Sequence, residues 1–89
     1  MLIISYDISS NETRNNFSKL LFANGAIRLQ YSVYELNNTK QITDKLLAKI
    51  EVFAKNFTGA DSVLIFDILN SNIKKYGNAI HIDKDIVYF

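Results

Sequence analysis

Residues 2–7 and 62–69 are apolar on both of the faces that an extended strand presents. In the first run Ile3, Ser5 and Asp7 point one way and Leu2, Ile4 and Tyr6 the other. In the second, Val63 and Ile65 alternate with Leu64, Phe66 and Ile68. Strands of this kind need cover on both sides. The 89 residues make one domain, 1–89, and a domain of that size buries only roughly two-thirds of its unfolded surface. Yet 48% of the residues are hydrophobic, six Phe and five Tyr among them, which is more apolar material than one small two-layer core absorbs. The sequence therefore predicts helices on one sheet face and a second copy of the chain on the other.

The segments between the two runs fix the order of elements. Ser9 and Glu12 have capping-box spacing, so a helix is predicted to begin near Ser10. Phe17, Leu20, Leu21 and Asn24 form its largely apolar stripe, and Arg14, Asn15 and Lys19 its exposed side. Gly25 suits the left-handed residue just past its end. Residues 26–36 read as extended, with Ile27, Leu29, Tyr31 and Val33 alternating with Arg28, Gln30, Ser32 and Tyr34. They fit one long strand, or two short ones with a bend near Tyr31-Ser32. The broken version is preferred because it gives the ferredoxin-like order βαββαβ. Asn37, Asn38 and Thr39 make a turn and cap; then Ile42, Leu46, Leu47, Ile50, Phe53, Ala54 and Phe57 recur at a helical period. Lys45 and Lys49 stand one turn apart on the solvent side of that helix, which residues 58–61 end. Residues 70–78 form a polar loop with Lys74, Lys75 and Gly77, followed by short extended pieces at 79–82 and 86–89. The expected class is α+β: a ferredoxin-like βαββαβ sandwich with an extra C-terminal strand, homodimeric. Residues 86–89 would add to the partner's sheet edge.

Composition narrows the function. The absence of Cys fits a reducing cytoplasm and disfavours thiol and zinc chemistry. The apolar N-terminal run has no basic flank and is too short for a signal or a membrane span. A net charge of +1 is low for a nucleic-acid binder, so contact with phosphates must come from a local patch, a metal or a partner protein. His81, the only His, has no second ligand at metal spacing and no Ser-His-Asp set, and reads as structural or interfacial. There is no Gly-rich phosphate loop.

Asp7 is the first candidate for chemistry. It ends the first strand just ahead of a helix N-terminus, where free backbone N–H groups and a partial positive charge favour phosphate. A carboxylate there can hold a divalent metal against that phosphate, and two Asp7 side chains across a twofold axis would hold it better than one. The plainer reading is a turn or capping Asp. Arg14, in the early helix, could clamp a phosphate; it could equally be a solvated residue paired with Glu12 or Asp7. Arg28, Gln30 and Tyr34 share one strand face if residues 26–36 are unbroken, suiting a nucleic-acid backbone or an interface; the plainer reading of an Arg beside aromatics is structural. Lys45, Lys49, Lys74 and Lys75 complete the cations available for duplex DNA.

Taken in order, Ile4-Ser5-Tyr6-Asp7-Ile8, Arg14, Gly25, Arg28-Leu29-Gln30-Tyr31-Ser32-Val33-Tyr34-Glu35 and Asp61-Ser62-Val63 resemble the CRISPR-associated protein 2 family. The resemblance runs through nearly the whole chain, and the Gln-x-Ser-Val-aromatic block carries most of its specificity. It implies a ferredoxin-like homodimer that bridges two dimers of the CRISPR-associated protein 1 integrase on a short duplex DNA. The assembly inserts that duplex into the CRISPR array, a step in antiviral defence. It also implies a metal-dependent endonuclease, with Mg2+ or Mn2+ and with RNA or DNA, single-stranded RNA included, as substrate. By the resemblance Asp7 is the metal and catalytic residue and Arg14 its catalytic and nucleic-acid-binding partner. Arg28 corresponds to the strand Arg, while Tyr6, Gln30, Ser32 and Tyr34 complete the family motif. Two departures bear on cleavage. Asn16 stands where many members have a second Arg, and Tyr34 replaces the commoner Phe.

Two rival readings share these features. One is a ribonuclease toxin of the virulence-associated protein D type, built on a similar fold. The other is a non-enzymatic ferredoxin-like assembly or ligand-sensing domain.

Overall fold

The computed structural model describes residues 1–69 and 72–77. The elements run β1 (Leu2–Asp7), α1 (Asn11–Ala23), β2 (Ile27–Gln30), β3 (Val33–Leu36), α2 (Lys40–Phe53), a 3-10 turn at Ala54–Asn56, and β4 (Ser62–Asp67). The four strands form one sheet in the order β2-β3-β1-β4, with every neighbouring pair antiparallel. Two β-α-β units are thus interleaved, each with a strand of the other between its own two, which is the predicted ferredoxin-like arrangement. The expected strand and extended piece at 86–89 and 79–82, and His81, lie outside the described residues.

Residues 26–36 form two strands rather than one. Gln30 pairs with Val33, leaving Tyr31 and Ser32 as a two-residue turn. Ser32 takes a positive φ of 79°, unusual for a residue with a side chain. Its carbonyl is fixed by the Tyr6 N–H at 3.1 Å, which ties the bend to the end of β1. A register shift between Arg28 and Gln30 puts these two residues on different faces.

The α1 cap differs from the expected one. Ser10, not Ser9, is the N-cap, its hydroxyl accepting from the Thr13 N–H, so Glu12 is not the capping partner. Ser9 is instead bound by Asp61. At the other end Gly25 has φ +88° as predicted, and an added Cβ would meet the Asn38 side chain at 3.1 Å. In α2, Thr39 caps by accepting from the Ile42 N–H. The apolar stripe of α2 runs on through the 3-10 turn to Phe57.

Both helices lie on the sheet face that carries Leu2, Ile4, Tyr6, Tyr34 and Leu36, where Phe17, Leu21, Leu46 and Ile50 complete the core. Phe17 is its centre, edge-on to Tyr6 at 4.9 Å and within 5.2 Å of Phe53. Burying such a side chain contributes about 1.5–3 kcal/mol. The opposite face carries Ile3, Ser5 and Asp7 of β1 and, directly across from them, Phe66, Leu64 and Ser62 of β4. Leu64 is 60% exposed and Phe66 49%. The chain covers part of this face itself. Ile73, Lys74 and Lys75 line one cleft with Ile3, Leu29 and Val33 on the β2–β3–β1 side. The Lys75 ammonium pairs with Glu35 at 2.5 Å.

Candidate functional site

The end of β1, the start of α1, the β2–β3 turn and the start of β4 meet at one end of the sheet. Asp7 stands there, exposed, paired in register with Ser62. Burial alternates along β1 and ends at this carboxylate, so the strand that anchors the core delivers Asp7 to the surface.

Arg14 reaches back across the turn that follows β1. Its Nη1 donates to the Ile8 carbonyl at 2.9 Å and its Nη2 to the Asn11 side chain. Its guanidinium carbon also lies 5.9 Å from the centre of the Tyr31 ring. Arg14 is therefore neither a freely solvated helix residue nor the partner of Glu12. It is a half-buried cation held between the β1–α1 turn and the β2–β3 turn.

Arg28 sits elsewhere. It pairs across the ladder with Tyr34 on the helix-covered face, and its Nε donates to the Tyr34 hydroxyl at 3.1 Å. That hydrogen bond comes first among the effects holding the Arg28 pKa above its ordinary value. The guanidinium also lies over the Phe22 ring at 5.9 Å and the Tyr34 ring at 5.6 Å. The Tyr34 hydroxyl also shares a hydrogen bond with Ser18 Oγ at 2.6 Å. Tyr34 is thus a core residue whose hydroxyl joins β2, β3 and α1. Tyr6 stacks on it at 6.0 Å. The Tyr6 phenol pKa is raised, by burial first and by the neighbouring Tyr34 second. Gln30 is separated from this pair by the register shift and borders the cleft under Ile73. Arg28 and Tyr34 share a face, but the register shift keeps Gln30 from joining them. Lys45 and Lys49 are exposed on α2 as expected.

Asp61 carries a role that no spacing in the sequence announces. One carboxylate oxygen accepts from the Ser9 N–H at 3.0 Å and the Ser9 hydroxyl at 2.9 Å. The other accepts from the Thr58 N–H at 2.9 Å and the Thr58 hydroxyl at 3.3 Å. The Ser9 and Thr58 backbone N–H groups, before the hydroxyls, hold its pKa down at about 2. Asp61 fastens the turn after Asp7 to the turn before β4.

A divalent metal needs more than this end of one chain offers. Asp7 is a single exposed carboxylate, and among the described residues no three His, Cys, Asp or Glu side chains come together. The Asp61 oxygens are already used by four donors. No helix among the described residues is long and apolar enough to cross a membrane.

Comparison with known proteins agrees with this architecture. No curated protein sequence matches the chain. A solved structure titled "Crystal structure of cas2" is 26% identical, with a TM-score of 0.68, over 99% of this chain and 93% of that one. Residues 1–76, which include both helices, all four strands and the Asp7–Arg14 end of the sheet, match the family CRISPR associated protein Cas2. The chain belongs to the CRISPR associated protein Cas2 family.

Proposed function

We propose that this protein acts in CRISPR adaptation as a homodimer that bridges the integrase on a short duplex DNA. The observation that carries this reading is the family match over residues 1–76. The sheet face supports the dimer. Leu64 and Phe66 form an exposed apolar strip beside Ile3 and Ser5, on a sheet whose other face is already covered by helices. Duplex contact falls to Lys45 and Lys49 on α2 and to Arg14, with the integrase sharing the phosphates that a near-neutral chain cannot neutralise alone.

A second reading, metal-dependent phosphodiester cleavage, is favoured by the exposed Asp7 close in sequence to a fixed guanidinium. One chain does not supply a metal site; Asp7 from two copies would be needed to hold Mg2+ or Mn2+. When bound, the ion would neutralise phosphate charge and lower the pKa of a water. Arg14, already oriented by Ile8 and Asn11, would contribute a hydrogen-bonded positive charge to a phosphoryl oxygen. Asn16, in place of a second Arg, makes that stabilisation weaker.

The test measures integration of a duplex into a CRISPR array by the integrase of the same locus, alongside cleavage by the isolated protein. Integration should require this chain and survive Asp7→Asn, whereas any cleavage should be slow, metal-dependent and lost in that variant. Integration that proceeds equally well without the chain contradicts the bridge. Loss of integration in a folded, dimeric Asp7→Asn protein reverses the division between scaffold and catalyst.

A further inference from the structure

Tyr31 is the feature that neither the core nor the proposed bridge uses. It occupies the first position of the two-residue β2–β3 turn and is 70% exposed. The turn itself is tied to the sheet. Ser32 is held at positive φ, and its carbonyl is bound by Tyr6 at the end of β1. Conformations of that kind persist where the surroundings over-determine them, and they recur at ligand sites. Beside the ring stands Arg14, fixed by Ile8 and Asn11 and 5.9 Å from the ring centre. Asp7 lies one residue before Ile8, the anchor of that guanidinium.

We propose that Tyr31 and Arg14 form a nucleotide-sized site that takes an unpaired base: the base stacks on the open part of the Tyr31 ring while its phosphate meets Arg14. The chemistry is that of single-strand binding proteins, in which an aromatic supplies a platform for any base and a neighbouring cation tracks the backbone. An interior base of a duplex is already stacked on both faces and cannot use the ring. The site therefore distinguishes a single strand, or the frayed end of a duplex, from duplex interior. The two donors that Arg14 spends on the protein leave three of its five N–H groups for a phosphate. This inference rests on the nucleic-acid reading above and adds to it Tyr31 as the residue that selects unpaired nucleotides.

The test is direct binding by the full-length protein, at one salt concentration, of three labelled probes: a poly-uridine RNA, a poly-thymidine DNA of equal length, and a blunt duplex. Tyr31→Phe keeps a stacking face and Tyr31→Leu removes it at similar bulk. We expect Tyr31→Phe to bind single strands like the wild type and Tyr31→Leu to bind them about tenfold more weakly. The blunt duplex should be affected less than about twofold by either change. Circular dichroism should be the same for all three proteins, because the exposed ring supports no core contact. A greater loss on RNA than on DNA would assign part of the site to the ribose hydroxyl, and equal losses would assign it to the base alone; both support the proposal. Single-strand binding unchanged in Tyr31→Leu, or lost equally in Tyr31→Phe, overturns the stacking site while leaving the duplex-bridging reading intact. A wild-type protein that binds none of the probes, even with the integrase present, overturns both.

Discussion

The two faces of the sheet are built from the same strands and do different work. On one, Leu2, Ile4, Tyr6, Tyr34 and Leu36 meet Phe17, Leu21, Leu46 and Ile50, and almost nothing is exposed. On the other, Ile3 shares a cleft with the chain's own Ile73, Lys74 and Lys75, while Leu64 and Phe66 are exposed. Strand alternation alone would make the faces equivalent. The difference comes from the crossovers, since both helical connections pass over the same side. Among the described residues, burial is thereby concentrated on one face, and the other keeps apolar strand surface exposed.

The largest effect should come from the covered face. Phe17→Ala removes the ring that Tyr6, Phe53 and Phe57 all touch, and should cost about 3–5 kcal/mol by chemical denaturation. That is a large fraction of the ~5–15 kcal/mol of a small domain. A loss below about 1 kcal/mol would mean that the helices do not form the core described here. Arg28→Ala should come next, at about 1–2 kcal/mol, because it deprives the buried Tyr34 hydroxyl of a charged donor and uncovers Phe22. If Arg28→Ala lowers DNA binding with no change in unfolding, the residue belongs to the nucleic-acid surface rather than to the fold.

Asp61 sharpens the comparison at the rim where the two faces end. Its pKa in the fold, about 2, lies below the ordinary 3.8. A depressed carboxylate contributes stability that is full above its unfolded pKa and is lost as pH falls through the folded one. Asp61→Asn should therefore melt lower than wild type near neutral pH. The gap between the two should close between about pH 4 and about pH 2. A gap independent of pH would mean that the four hydrogen bonds do not depend on the charge.

The smallest effect on stability belongs to Lys45→Glu with Lys49→Glu, both exposed on α2. Unfolding should be nearly unchanged. Duplex binding by the integrase complex should weaken, with a shallower salt dependence. Unchanged binding across several salt concentrations would place the DNA path away from α2.

Much of this architecture is legible in the sequence, and the parts that are not share a physical reason. The period from Ile42 to Phe57 and the glycine after α1 are local signals and give the helices. The break at Tyr31-Ser32 follows from choosing the topology that lets both β-α-β units close. What could not be read depends on contacts distant in sequence or on a one-residue shift. Asp61 finds Ser9 across 52 positions, and that contact moves the α1 cap from Ser9 to Ser10. The register shift after Arg28 separates Gln30 from Tyr34, which strict alternation would have put together. Arg14 was visible as a candidate, but its contact with Tyr31 exists only because the turn is tied to Tyr6. In each case the residue type was apparent and its partner was not.

The central claim is that the open sheet face is where a second copy docks. It is tested most directly by light scattering on the wild type and on a Leu64→Asp, Phe66→Asp double variant, both checked for folding by circular dichroism. The account predicts twice the 10.2 kDa chain mass for the wild type and the single-chain mass for the folded variant, which should also fail to join the integrase. A folded variant that remains a dimer, or a wild type that is monomeric at the same concentration, would contradict it.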